Sequence, residues 1–292
     1  MIRRFLSGRP ADILNICFLS FLTVLTIVFN QKVEGPVLLI GVYLGLIGAQ
    51  AVLIALKDKG KALRFVYDLV FPTVSILVIF DSLGRIVHAI NPRDIDPLLI
   101  RIDYLLFGCH PTVAIEKIVR PPLTDLLQIA YSSYYFLPIT LGAVLIFRRN
   151  PAFDRALFFI MLCFYLSYAG YLLMPALGPR FTMSHLQTRD LEGWLVAGPI
   201  QELLNRLEGV KRDAFPSGHT GVALTVLFLA FRFERRLFRW FLPFVTALIL
   251  ATVYCRYHYV VDVIAGALLT LMTLALGEWV YGYRTQRDDP HY

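Results

Sequence analysis

Two short runs in the last third of the chain carry residues that could do chemistry together. One is Phe215-Pro216-Ser217-Gly218-His219-Thr220-Gly221, the other Arg256-Tyr257-His258-Tyr259-Val260-Val261-Asp262. In the first, proline suits a helix start and Ser217 can cap it. The small residues let an anion approach the free N–H groups of a helix N-terminus, with His219 beside it. In the second, His258 and Asp262 stand four apart and share one helix face. A carboxylate bonded to one imidazole nitrogen fixes the tautomer and leaves the other lone pair free to attack. Arg256, next to the pair, can grip a phosphate through its planar fork. A third run, Met174-Pro175-Ala176-Leu177-Gly178-Pro179-Arg180, places another arginine on a turn stiffened by two prolines. Each run also has a plainer reading: an interfacial histidine, a self-satisfied His–Asp pair, a positive flank snorkelling to headgroups.

What positions these runs is a set of long apolar stretches. Of 292 residues, 57% are hydrophobic and 17% charged, and the mean hydropathy is +0.63. A soluble domain carries about 25% charged residues. The apolar excess sits in runs, which excludes an ordinary cytosolic enzyme, a disordered chain and a disulfide scaffold. A crossing helix needs roughly 20 mostly apolar residues. Eight stretches qualify or nearly do: 12–30, 36–56, 65–84, 123–147, 156–175, 217–231, 240–256 and 259–281. The pattern predicts an all-α, polytopic membrane bundle. Its expected parts are an N-terminal transmembrane hairpin over 1–64, a membrane-embedded catalytic domain over 65–283 and a cytoplasmic tail over 284–292. The basic flank before the first span resembles that of a signal peptide, but no small-x-small cleavage site follows, so an uncleaved span is expected.

Loop charges set the orientation. With the N-terminus inside, the inner segments hold 16 Lys/Arg in 46 residues against 12 in 86 outside, as the positive-inside rule requires. The net charge of +7 is then topological. No basic tract with interleaved aromatics points to nucleic acid. All three chemical runs fall at the outer edge under a topology derived without them.

Other features are secondary. The stretch 94–108 alternates apolar and charged faces, as in a helix lying in the interface. The loop 176–215 is long and carries five acidic and five basic residues; long ordered loops often carry function. Asp81, Arg85 and His88 stand at helical spacing, either as a self-neutralising Asp81–Arg85 pair or with Arg85 or His88 on a headgroup. The four cysteines form no C-x-x-C pair, so neither zinc nor a disulfide framework is expected. A Cys109–Cys255 bridge stays open only if both face an oxidising side.

The order Gly-Pro-Arg, Pro-Ser-Gly-His, Arg-x-His-x-x-x-Asp resembles the type 2 phosphatidate phosphatase superfamily of membrane-embedded phosphatases and phosphotransferases. Tyr257-His258-Tyr259-Val260-Val261-Asp262-Val263 is most similar to the branch holding inositol phosphorylceramide and sphingomyelin synthases. Ser132 to Pro138 and the Asp96–Gly108 stretch are similar to that branch too, so the resemblance covers roughly 80–281 and implies a six-helix catalytic core. It implies that His258 is the nucleophile forming a phosphohistidine, that Asp262 orients and balances it, and that His219 protonates the leaving oxygen. Ser217, Gly218, Arg180 and Arg256 would hold the phosphoryl oxygens. Two arginines and backbone amides would replace metal ions, so no metal and no cofactor are expected. The pattern departs from the family in two places. The usual first-motif lysine is Leu173 here, and the usual third-motif arginine is Thr252. Lys211 and Arg212, just ahead of Pro216, are further candidates to complete the phosphate pocket.

The expected activity is cleavage of a lipid-linked phosphoester at the outer face, with water or an alcohol or sugar hydroxyl as acceptor. Its partners would be a lipid phosphate and membrane lipids, and an outward site fits the periplasmic face of a bacterial inner membrane. The competing reading, a transporter or flippase, calls for ionisable groups at the membrane midplane and usually a repeat. Here the charges gather at one edge and no repeat is visible.

Overall fold

The computed structural model describes residues 9–207 and 212–288. All regular structure among them is helical. The longer helices are α1 (Pro10–Val28), α2 (Pro36–Leu56), α3 (Lys61–Leu83), α4 (Asp96–Phe107), α5 (Pro121–Phe147), α6 (Phe153–Leu173), α7 (Ala197–Leu207), α8 (Gly218–Phe233), α9 (Arg235–Tyr254) and α10 (Val260–Asp288). Seven of them are long and apolar enough to cross a membrane, so the chain is an integral multi-pass membrane protein. The expected eighth span is α8. At 16 residues it is shorter than the seven, yet it runs the depth of the bundle beside α10, with the Ser217 N–H on the Asp262 carbonyl at one end and Arg232 on Glu278 at the other. Proline opens α1, α2, α4 and α5, where its missing N–H costs nothing. A π-turn at Val66–Val70 interrupts α3, and a 3₁₀ turn at Ser133–Tyr135 interrupts α5.

Helix α6 is the central post. It packs against α1, α3, α5, α8 and α10, and most of its side chains are buried. Its exchange of aliphatic and aromatic contacts with those neighbours forms the main core. Between α8 and α10 the contact is closer still. A Cβ on Gly266 would meet the Ser217 carbonyl at 2.5 Å, and one on Gly221 would meet the Gly266 carbonyl at 3.3 Å. Small residues let two backbones touch in this way, the usual device for helix association in lipid. The Ser217 N–H donates to the Asp262 carbonyl (3.1 Å), so this crossing sets the first and second runs side by side.

The helix expected at 94–108 is α4, and its polar face turns inward. Asp96 and Asp103, seven apart, are buried, while Leu98, Leu105, Leu106 and Phe107 are exposed. The Asp96 carboxylate accepts from the N–H groups of Leu177 and Gly178 (2.9 Å each) and from the Tyr259 hydroxyl (2.8 Å). Asp103 accepts from Val260 N–H (2.9 Å) and Val261 N–H (2.8 Å), the first turn of α10. A carboxylate suits free N–H groups at a helix start. Thus α4 braces both the Gly178 turn and the His258 turn.

The Asp81–Arg85 pair is absent among the described residues; His88 Nε2 instead lies 3.3 Å from Asp94. The four cysteines are free, so the Cys109–Cys255 bridge does not form.

Candidate active site

Backbone bonds stitch the three chemical runs together. Ala214 N–H donates to the Ala176 carbonyl (3.1 Å), and Arg180 N–H donates to the Arg256 carbonyl (2.9 Å). Gly178 makes the second contact possible. Its φ is +90°, and a Cβ there would meet the Tyr257 carbonyl oxygen at 2.5 Å, so no other residue fits without strain. Arg256 itself adopts a left-handed φ of 62°, a cost that non-glycine residues rarely bear outside over-determined sites.

His219 enters on the first turn of α8. Ser217 caps that turn, its Oγ accepting from Thr220 N–H (3.2 Å). The imidazole lies between two tyrosines of α5, with ring centroids 4.5 Å from Tyr131 and 4.3 Å from Tyr134. Tyr257 stacks on the far side of Tyr131 at 4.2 Å. A Cβ on Gly218 would collide with the Tyr171 hydroxyl, so this helix start is packed against aromatic rings on both sides.

His258 sits in the tight turn between α9 and α10, its N–H bonded to the Thr252 carbonyl (3.0 Å). Its Nδ1–H donates to the Ala214 carbonyl (2.8 Å). A carbonyl only accepts, so this nitrogen holds the proton and Nε2 keeps its lone pair. That lone pair faces His219 Nδ1 at 3.3 Å. Asp262 stands 3.6 Å from His258 Nδ1, within ion-pair reach but beyond a hydrogen bond. Its Oδ2 accepts instead from Tyr259 N–H (2.8 Å). The tautomer expected to depend on the carboxylate is therefore held by the backbone, because the start of α10 claims that oxygen. Asp262 Oδ1 and His219 Nε2 are both buried without a partner.

The expected phosphate ligands separate into groups. Ser217 and Gly218 lie at the α8 start beside the histidines. Arg180 and Arg256 line a polar chamber of about 600 Å³, shared with Gln187, Asp190, Glu192 and Gln201. The Arg180 guanidinium lies 5.8 Å from the Tyr257 ring centre. Arg256 Nη2 donates to Glu116 Oε1 (2.8 Å) and to the Arg189 carbonyl (2.6 Å). Arg212 points elsewhere, donating to Asp94 (2.9 Å) at the oxygen that His88 also faces. Lys211 lies outside the described residues. No three His, Cys, Asp or Glu side chains gather as metal ligands among the described residues.

Several groups at the site carried no motif. Glu116 ties Arg256 to the Thr188 backbone and hydroxyl. Asp213 lines a narrow apolar cavity together with His219. Burial pushes its carboxyl up to about 6, against the pull of nearby His258. Its position six residues before His219 was the only signal available in the sequence. For Tyr131 the signal was the helical spacing of aromatics along α5, which packing alone would also produce, while Tyr134 lies in the Ser132–Pro138 stretch that carries the family resemblance.

With this geometry in place, the comparisons with known proteins are specific. The PAP2 superfamily model matches residues 99–276, more than half of the chain and every residue of the histidine site. The chain belongs to the PAP2 superfamily. It is 25% identical over 228 residues to an inositol phosphorylceramide synthase of Candida albicans, covering 72% of this chain and 48% of that protein. It is 24% identical over 189 residues to a PA-phosphatase related-family protein of Dictyostelium discoideum, covering 56% of this chain and 33% of that protein. The chain thus spans a third to about half the length of these relatives. No solved structure matches it significantly.

Proposed function

We propose that this protein cleaves or transfers a lipid-linked phosphoryl group through a phosphohistidine on His258. The observation that carries the reading is the His258 lone pair aimed at His219 across 3.3 Å, with the opposite nitrogen held by a carbonyl. In the first step Nε2 attacks phosphorus and the bond to the leaving oxygen breaks. His219, once it has taken up a second proton beside the phosphate dianion, gives that oxygen its proton. In the second step an incoming hydroxyl attacks phosphorus, the P–N bond breaks, and His219 takes the hydroxyl proton. A phosphorus on Nε2 needs the space that His219 Nδ1 fills, so substrate entry has to part the rings.

Asp262 balances charge as His258 is phosphorylated, its unpartnered Oδ1 being available for that role. Backbone N–H groups at the α8 start, with Arg180 and Arg256, would neutralise the phosphoryl oxygens. The donor set supplies positive charge through arginine, which supports metal-independent chemistry. Residues 65–283 act as the catalytic domain, buttressed by the 1–64 hairpin. The positive-inside balance favours a site on the outer face, periplasmic if the membrane is a bacterial inner membrane.

The polar chamber beside Arg180 and Arg256 mixes amides and carboxylates, groups suited to a hydroxyl-rich headgroup. Together with the similarity to a protein named as an inositol phosphorylceramide synthase, this favours a hydroxyl acceptor over water alone. The test is a panel of lipid phosphates presented to purified protein in EDTA, with and without an alcohol acceptor, and products read by mass. Phosphate release or headgroup exchange that vanishes in His258→Ala and His219→Ala supports the reading. Full activity in either variant, or strict metal dependence, overturns it.

A further inference from the structure

A narrow apolar slot runs between α3, α5 and α6. From α6 it is lined by Phe153, Ala156, Ile160, Phe164, Tyr168 and Tyr171, which recur every three or four residues on one helix face. Between Phe153 and Tyr171 the slot follows α6 for about 27 Å at 1.5 Å per residue. Helix α3 contributes Pro72, Ile76 and Phe80 along the same length, and α5 contributes Pro138 and Ile139. At one end stand His219 and Asp213, at the other Asp68 and Gly142. His258 is not among the lining residues.

Three details identify the occupant. A slot of this length, apolar along its shaft, with His219 and Asp213 at one end and at the other Asp68 already held by Arg9, has the chemistry of one extended hydrocarbon chain with an oxygen at the His219 end. Helix α3 meets α5 mainly through its inner turn, Val66–Val70. Nearer the site, Leu77 and Ile139 line the slot and are also exposed on the outside of the bundle. Finally, the slot touches the histidine assigned to the leaving oxygen and not the nucleophile.

We infer that Gly142 sets the length of the aliphatic chain that the substrate can place in this slot, the chain being attached to the oxygen that His219 serves. This rests on the phosphoryl-transfer reading above. Gly142 closes the far end. A Cβ there meets Leu69 Cδ1 at 3.2 Å and Phe153 Cε2 at 3.8 Å, and both residues line the slot, so a larger side chain projects into it.

The test uses a series of alkyl monophosphates from decyl to octadecyl, offered in detergent micelles to wild type and Gly142→Leu. The variant is expected to keep decyl phosphate turnover and to lose octadecyl phosphate turnover by about tenfold to hundredfold, the scale of overpacking a filled cavity. Equal loss at every length, or no loss at any, overturns the inference. A second measurement needs no variant and no turnover. Octadecyl phosphate carrying a terminal diazirine is photolysed on the wild-type protein. Label on the Leu69, Gly142 and Phe153 peptides, displaced by unlabelled octadecyl phosphate, supports the slot; label confined to other helices, or not displaced, overturns it. If wild type turns over no phosphate lipid at all, the catalytic reading fails while the photolabel still decides the slot.

Discussion

The bundle buries two clusters of ionisable groups, one at the site and one away from it, and treats them differently. Away from the site, Arg9 bonds to Asp12 (3.3 Å), Asp68 (2.9 Å) and the Tyr67 carbonyl (2.9 Å). Gln50 links Asn15 (2.8 Å) to Asp12 (3.1 Å), and Asn15 also accepts from Ser75 (3.0 Å) and from Tyr165. None of these side chains has an unpartnered buried atom among the described residues. The cluster ties α1 and α2 to α3 and α6. At the site, His219 Nε2 and Asp262 Oδ1 are left without partners. Ionisable groups inside a membrane protein are commonly read as functional. Here pairing separates the two cases: a closed network acts as glue, and an open one waits for a ligand.

That contrast can be broken in several ways. The largest expected effect is at the open cluster. His258→Ala and His219→Ala should each lower turnover by at least ~10³-fold while the melting temperature in detergent stays near wild type. A large melting shift in both would make the pair structural. Next comes the closed cluster. Asn15→Leu strands Gln50, Ser75 and Tyr165, and should cost about 2–4 kcal/mol of stability with turnover per folded molecule unchanged. Thermal unfolding measured alongside specific activity checks it, and lost activity at full stability would contradict the division.

A smaller effect is expected at Glu116. Replacing it with Gln keeps the shape but removes the charge that holds Arg256, and should weaken phosphate-analogue binding about tenfold. Vanadate inhibition reads this directly; an unchanged inhibition constant would detach Arg256 from the phosphate. The smallest effect concerns Asp213. Its carboxyl is raised from the ordinary range to about 6, so below pH 4 it costs the folded state nothing. Its stabilising proton is lost as pH rises through 6. Asp213→Asn should therefore gain melting temperature relative to wild type at pH 7.5 more than at pH 4.5. An equal difference at both values would mean the group titrates normally.

Much of this was legible in the chain because apolar length and local spacing are short-range properties. The span read at 36–56 coincides with α2, and Ser217 caps α8 as its type and position suggest. The His258–Asp262 spacing placed both groups on one turn, yet the hydrogen bond went to Ala214, 44 residues away. Long-range partners of this kind leave no periodic trace. The same holds for α4, whose charged face reads as solvated until Asp96 is seen bonded to the Gly178 turn and Asp103 to the start of α10, far along the chain. Glu116 lies 140 residues from Arg256, and no local pattern joins them.

The most direct test of the two-imidazole site is a trapping experiment. His219→Ala protein is mixed with a phosphate ester whose leaving group needs no proton, quenched without acid, and its peptides are read for added phosphoryl groups. The expected result is a phosphoryl group on His258 that accumulates in this variant and is absent when His258 is also replaced. Turnover with no phosphorylated histidine, or a phosphoryl group on another residue, would contradict it.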